Sequence, residues 1–333
     1  MTEYTFPSVD VYEGVTGEAF AAIFARQLPA ILKGHVAHWP AVAAGLRSSR
    51  AMADYLGAMD AGVPTSVAEA PASSGGQFFY ASDMAEFNFT KRQRPLAQAL
   101  EQIVGNIGRP DAPIVAVQMM PVAEHVPAFA RDNPSPLLPP QVGPRLWIGG
   151  RMRSQTHNDA DHNIACVIHG QRRFVLFPPE QVGNLYIGPF DNPPPLSLVR
   201  LEAPDFDAFP RFRQALDAAI QADLDPGDAL FLPARWWHHV SSLSPFNVMV
   251  NYWWGGERQG LESPYNTFQL ALLTIKDMPD SQKAYWKAMF ETYVFGTGGA
   301  DHIPPALQGP IGQMGPQMRD RLKKELLQAF LKS

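Results

Sequence analysis

The sequence predicts a mostly β fold, a barrel or sandwich with flanking helices and a helical C-terminal appendage. Three observations carry this. Proline and glycine number 32 and 26 among 333 residues. Because proline is excluded from central strands and helix interiors, elements are short and loops numerous. Between Arg145 and Trp254 five short apolar runs, RLWIGG, HNIACVIHG, RRFVLF, DALFLP and FNVMVNYWW, are separated by turn chemistry, the pattern of a barrel or sandwich. After Gly260 the apolar residues recur at helical spacing.

Residues 1–110 read as a mixed α/β region that packs on the barrel. Residues 18–27 and 96–104 are amphipathic helix candidates, and strand-like segments surround Ile31 and Phe79. Residues 111–258 form the barrel. Residues 114–120 read as a strand, and then Pro127, Pro134, Pro136, Pro139 and Pro140 mark a long irregular segment that lies over a cavity mouth. RRFVLF stops at Pro178-Pro179. The connection over 186–225 contains Pro193-Pro194-Pro195 and a helical stretch at 212–222, and such rim connections often carry substrate contacts. Residues 259–333 are the helical region. Residues 281–295 place Tyr285, Met289 and Tyr293 on one face, and 317–331 do the same for Met318, Leu322, Leu326 and Phe330. Two helices cannot bury both faces alone, which leaves two readings open, a homodimerisation arm or packing against the same chain's barrel.

Composition excludes several classes. A formal charge of -5 and a pI near 6.0 argue against a general nucleic-acid or anionic-membrane binder, which needs a basic surface. Cys166 is the sole cysteine, so no intrachain disulfide forms and a reducing compartment is compatible. The N-terminus lacks the basic and apolar regions of a signal peptide, and no stretch reaches the ~20 apolar residues of a membrane helix. A soluble, cytoplasmic protein is expected.

The chemistry centres on His157-Asn158-Asp159. On a strand, residues two apart project from the same face, about 6 to 7 Å apart, so His157 and Asp159 converge on one ion. His238, in PGDALFLPARWWHHV, is the third candidate, because the chain emerges there from a strand ended by proline. Two histidines and one carboxylate hold a ferrous ion while leaving positions open. An isolated His-x-Asp is weak. Here it is followed in order by Asn163, a hairpin at His169-Gly170-Gln171, Arg172-Arg173-Phe-Val-Leu-Phe and the PGD…WWH pair.

This ordered set, spread over residues 77–254, resembles the cupin-like Jumonji-C family of iron(II)- and 2-oxoglutarate-dependent oxygenases, in pattern most of all the asparaginyl hydroxylase that inhibits hypoxia-inducible factor. The resemblance implies a double-stranded β-helix, or jelly-roll, with Fe(II) on His157, Asp159 and His238. It implies Asn163 and Asn251 as polar residues beside the cosubstrate, Ser154 as a hydroxyl that helps hold it, and Arg172 as the partner of its distal carboxylate. Relatives place a lysine at this last position, and arginine binds a carboxylate bidentately with a bulkier fork. The implied activity is a dioxygenase that decarboxylates 2-oxoglutarate to succinate with O2 and hydroxylates a C–H of a protein side chain or small molecule. Two alternatives stand beside it: a cupin metalloenzyme using a different acid, motivated by Arg172, and a non-catalytic metal-binding module. Demethylation ranks lower, since the chain has no zinc-finger cysteines.

Overall fold

The computed structural model describes residues 4–81, 84, 86–135, 137–139, 141–190, 195–255 and 263–331. Pro136, Pro140, Pro193, Pro194 and Gly260, used above as loop and boundary marks, lie outside the described residues. The chain divides into two compact units, Met1–Arg258 and Gln259–Ser333.

In chain order the first unit begins with β1 (Asp10–Glu13), α1 (Gly17–Ala25), β2 (Ala30–Lys33), α2 (Pro40–Arg47), α3 (Ser49–Gly57), β3 (Thr65–Ala70), β4 (Gln77–Phe78), β5 (Thr90–Arg94) and α4 (Leu96–Gly105). β6 (Ile114–Pro121), α5 (Val122–His125) and α6 (Pro127–Asp132) follow. Then come β7 (Pro144–Gly149), β8 (Arg153–His157), β9 (His162–His169), β10 (Arg172–Phe177), β11 (Ile187–Gly188), β12 (Leu196–Ser197) and α7 (Phe212–Asp217). β13 (Ile220–Leu224), β14 (Ala229–Leu232), β15 (Trp237–Ser242) and β16 (Asn247–Trp254) complete it. Local chemistry explains the helix starts. The Thr16 and Ser48 hydroxyls accept the backbone N–H groups of Ala19 and Ala51 and cap α1 and α3.

Two sheets face each other. The larger runs β1-β2-β14-β9-β16-β7-β6-β3-β5 and the smaller β13-β10-β15-β8-β4. Within them β7, β16, β9 and β14 form one antiparallel set and β8, β15, β10 and β13 the other. The chain crosses between sheets at β7–β8, β8–β9, β9–β10, β13–β14, β14–β15 and β15–β16. This is the double-stranded β-helix.

Four local readings change. The segment at 212–222 is not one helix: α7 stops at Asp217 and the next residues form β13, whose period-two burial of Ala222 and Leu224 was hidden behind the helix-forming run before it. The proline-marked stretch is not wholly irregular, because Pro127 opens α6 from its first turn, where its missing N–H costs nothing. His169-Gly170-Gln171 does not join paired strands, since β9 and β10 lie in different sheets. Gly170 turns this corner at φ +75°, and a Cβ there would sit 2.5 Å from Asn247 Oδ1 and 2.6 Å from the Phe246 carbonyl. The helix expected over 281–295 ends at Phe290 and passes into a π turn.

Strand alternation divides the core. Ile164, Cys166 and Ile168 of β9 and Val248, Val250 and Tyr252 of β16 pack outward, under the helices of the first half of the chain. Ala165, Val167 and Met249 point into the barrel, where they meet Phe174, Leu176 and Val240 of the small sheet. Central strands buried on both faces are apolar almost throughout.

The second unit holds α8 (Pro264–Thr274), α9 (Asp280–Phe290) and α10 (Pro316–Leu331). None of the three helices has a buried side chain. Among the described residues no helix is long and apolar enough to cross a membrane.

Candidate active site

His157 closes β8 and His238 stands second in β15, and the two are direct cross-strand partners. Their rings lie 4.3 Å apart between centroids. Each Nδ1 lies on a backbone carbonyl, that of His157 2.7 Å from the Gln155 oxygen and that of His238 3.0 Å from the Trp236 oxygen. A carbonyl only accepts, so Nδ1 carries the proton and Nε2 presents a lone pair, the tautomer that a metal ligand needs. Burial, and next the neighbouring His157, hold the His238 imidazole well below its ordinary range, so it stays neutral.

Asp159 is not on the strand. β8 ends at His157, and the carboxylate is brought round by the turn after it, where the Asp159 carbonyl accepts the Arg235 backbone N–H at 2.9 Å. Its Oδ2 lies 3.7 Å from His238 Nε2, and one ligand atom from each of His157, Asp159 and His238 falls within 4.8 Å of the others. Neighbouring donors at ~2.1 Å from one shared ion lie about 3.0 to 3.4 Å apart, so the 3.7 Å pair needs only a small inward shift to meet on an ion. Two imidazole nitrogens and a carboxylate, all borderline or hard donors, suit Fe(II) and similar ions.

A β-bulge sets the rest of this wall. His238 pairs with His157 while Val240 pairs with Ser154, so β8 carries one residue more than β15 between these points. Alternation alone would send Ser154 and His157 to opposite faces. The extra residue turns both inward, as bulges beside active sites do. Gln155 pins the bulge: its side-chain Nε2 donates to the carbonyls of Ser197 and Val199 at 2.8 and 2.6 Å, and its Oε1 accepts from Gln77 Nε2.

The cavity above these residues has a volume of about 650 Å³. Ser154, His157, Asp159, Asn163, Arg172, His238 and Asn251 all line it. Asn251 Nδ2 donates to Asn163 Oδ1 at 2.7 Å, and Asn251 Oδ1 is buried with no donor. Arg172 is 6% exposed, and among the described residues it has no ion pair and no hydrogen bond to its side chain. Burial lowers its pKa to about 10, still far above neutrality, so a full positive charge faces the cavity unanswered. An uncompensated buried cation costs several kcal/mol, a cost that an anion bound beside it would offset.

His162 is not a ligand: its Nδ1 accepts the Ala234 backbone N–H at 3.0 Å. His239 points to the outer face, where its Nε2 lies 3.1 Å from Glu202. The tryptophans separate. Trp236 and Trp237 are buried in the core and Trp254 packs on Phe24 and Phe231, but Trp253 lines the cavity with Trp147. Sequence reading passed over Arg145, Trp147 and Met119, which also line it. Counting strand faces from Leu146 and Ile148 in the outer core would have found the first two; Met119 depends on a bulge between Val117 and Met120 that no sequence signal marks.

A family model for a cupin-like domain matches residues 16–259. The chain is 39% identical to the lysine-specific demethylase JMJ31 of Arabidopsis thaliana over 111 residues, 33% of this chain and 20% of that protein. It is 37% identical to human HSPB1-associated protein 1 over 112 residues, 32% and 22% of the two chains. With the tRNA wybutosine-synthesizing protein 4 of Gibberella zeae it shares 32% identity over 151 residues, 44% of this chain and 14% of the other. The chain thus spans less than a quarter of the length of each of these relatives.

Proposed function

The chain belongs to the cupin-like, Jumonji-C-type family, and from that premise we propose that it is an iron(II)- and 2-oxoglutarate-dependent oxygenase that hydroxylates a C–H bond. The observation that carries this reading is the buried, unpartnered Arg172 in the same cavity as the His157, Asp159 and His238 donor set. One cation at the closed end and three metal donors at the other suit an acid that reaches from one to the other. β10 places Arg172 four residues from Leu176, the cross-strand partner of His238, roughly 13 Å along the strand. A short diacid and the arginine side chain together fill that span.

Bound iron(II), with 2-oxoglutarate and O2, supplies the oxidising chemistry, in which 2-oxoglutarate becomes carbon dioxide and succinate. The chain's own groups do the rest. His157 and His238 offer Nε2 and Asp159 a carboxylate oxygen. Arg172 takes the distal carboxylate with a planar fork, and Asn163 and Asn251 present amides to the cosubstrate, with the Ser154 hydroxyl on the facing wall. Phe174, Val240 and Met249 exclude water from the cavity floor.

Calorimetric melting tests the reading. In protein loaded with manganese(II), 2-oxoglutarate at about 100 times its Kd stabilises the fold by ~2.7 kcal/mol, and with iron(II) and O2 the protein forms succinate. Stabilisation by another dicarboxylate but not by 2-oxoglutarate favours the different-acid metalloenzyme, and none by any acid favours the non-catalytic module.

For the C-terminal unit we propose self-association. Its helices bury no side chain, and Leu273, Phe295 and Leu331 are 74%, 76% and 78% exposed. Sedimentation that returns only monomer at micromolar concentration defeats this.

A further inference from the structure

Arg145 faces the same cavity from the opposite wall. It is the second residue of β7, beside Trp147, and its cross-strand partner is Asn251. Leu146 and Ile148 go to the outer core, so alternation leaves Arg145 and Trp147 to face inward. Trp253, two residues beyond Asn251, packs edge-to-face on Trp147 with centroids 6.2 Å apart. Met119, held at φ +56° in the β6 bulge and half exposed, and residues 141–143 complete this end of the cavity.

Arg145 is a partly buried cation with no acidic partner or hydrogen-bond acceptor among the described residues. That sets it apart in an acidic protein of charge -5. Among the other partly buried arginines, Arg94, Arg153 and Arg173 each have a carboxylate in reach. Arg145 and Arg172 line the cavity and do not. Arg172 is the more deeply buried of the two, which suits an acid enclosed before the reaction. Arg145 is the more exposed and adjoins the exposed Met119, which suits a group that arrives from solvent.

We propose that Arg145 is the substrate-recognition residue and that the substrate carries a carboxylate, an inference that rests on the oxygenase reading. A single planar fork matches a carboxylate bidentately. Phosphate sites add helix N-termini or glycine-rich backbone nests, and no helix starts among the described residues that line this cavity. The Trp147–Trp253 pair supplies an apolar surface for the carbon skeleton between that carboxylate and the metal donors. Arg145 thereby acts on which C–H is presented.

The test titrates matched probes by calorimetry into protein loaded with manganese(II) and 2-oxoglutarate. One arm compares hexanoate with hexanamide, a free acid; the other compares acetyl-Ala-Glu-Ala-amide with acetyl-Ala-Gln-Ala-amide, an acidic side chain. In one arm the carboxylate binds about tenfold or more tightly than its amide, and the arm that responds identifies the source. In Arg145→Gln the difference shrinks to about twofold, whereas Arg145→Lys keeps part of it. The inference is overturned if neither arm prefers the carboxylate, if the preference survives in Arg145→Gln, or if a phosphoserine peptide of the same frame binds more tightly than the glutamate one. Should Arg145→Gln fail to fold, Arg145→Lys decides, since losing the fork must weaken the preference. Titration of 2-oxoglutarate alone into manganese-loaded protein separates the two readings: no heat there defeats the oxygenase assignment, while the acid-to-amide ratio in manganese-loaded protein still judges Arg145.

Discussion

The cavity has two walls, and they are built differently. The small-sheet wall bears His157, His238, Ser154 and Arg172 on β8, β15 and β10, each set by backbone: a bulge, two carbonyls that fix the imidazole tautomers, and a corner glycine at Gly170 just before Arg172. The large-sheet wall bears Arg145, Trp147, Asn163, Asn251 and Trp253 on β7, β9 and β16, where the register shift between β16 and β9 falls at Val248–Met249, before Asn251 and Trp253, so that these residues follow strand alternation. On the oxygenase reading proposed above, the first wall carries the two imidazole donors and the cation for the acid, and the second carries the substrate cation Arg145 beside the amides of Asn163 and Asn251. The difference teaches that the proposed metal chemistry leans on backbone irregularities and the proposed substrate contact on strand alternation.

The largest effect comes from removing a donor on the first side. Asp159→Ala leaves two imidazoles, and since losing a group that only hydrogen-bonds to a ligand already costs about 10- to 100-fold in metal affinity, metal binding should fall by more than about 100-fold. Competition with a fluorescent chelator measures it. Retention of near-wild-type affinity would mean that Asp159 is not a ligand. Arg145→Gln on the other side should leave metal affinity within about twofold, because Arg145 acts on no donor.

Arg172→Met comes next, and it separates function from stability. Loss of a buried charge partner costs ~3–5 kcal/mol, so 2-oxoglutarate affinity should drop by at least about 100-fold. The ligand-free protein should instead melt higher, because the variant removes a buried cation that has no partner in the chain. A variant that binds 2-oxoglutarate normally, or melts lower than the wild type, counts against Arg172 as the acid's partner.

The small-sheet wall was also the legible one. His157-x-Asp159 and the strand exit before His238 nominated the three donors, although Asp159 reaches the site from the turn after β8 and not from the strand face that the spacing implied, and the ordered motifs of the resemblance were needed to single them out. Arg172, Asn163, Asn251 and Ser154 were reachable only through the family resemblance, and the structure places all four on the cavity. Arg145 and Trp147 look like ordinary members of an apolar strand, and their facing is decided by which neighbours enter the outer core. Met119 and Ser154 depend on bulges, which shift register by one residue without a composition signal. The fold class came through because proline, glycine and short apolar runs constrain it. β13 did not, since a period-two pattern of five residues directly after a helix is too short to assert itself.

A smaller effect probes the bulge that makes the first wall special. Gln155→Leu removes the amide that serves the Ser197 and Val199 carbonyls and leaves both buried without that donor. Unsatisfied buried groups cost ~1–3 kcal/mol each, so denaturant unfolding should show a loss of about 2–6 kcal/mol. Metal affinity should fall about tenfold as the His157 backbone loosens. Loss of stability with unchanged metal affinity would show that the bulge is rigid without Gln155.

The backs of the two walls differ as well, and this gives the smallest effect. Behind the large sheet lies the main apolar core, whereas behind the small one Glu202 meets His239 at 3.1 Å and Arg153 at 3.6 Å. Burial alone would raise the Glu202 pKa, but the hydrogen bond and charge of His239, its own backbone and Arg153 outweigh it and bring it down to about 2. A carboxyl depressed on folding contributes stability that is present above its unfolded value near 4.5 and is lost as pH falls through about 2. One unit is 1.36 kcal/mol, and the quarter exposure of Glu202 leaves about 1–2 kcal/mol after screening. Between pH 4.5 and 2 the wild type should therefore lose that much more stability than Glu202→Gln, in urea unfolding followed by fluorescence. Parallel curves for the two proteins across this window would mean that the charged cluster does not brace the small sheet.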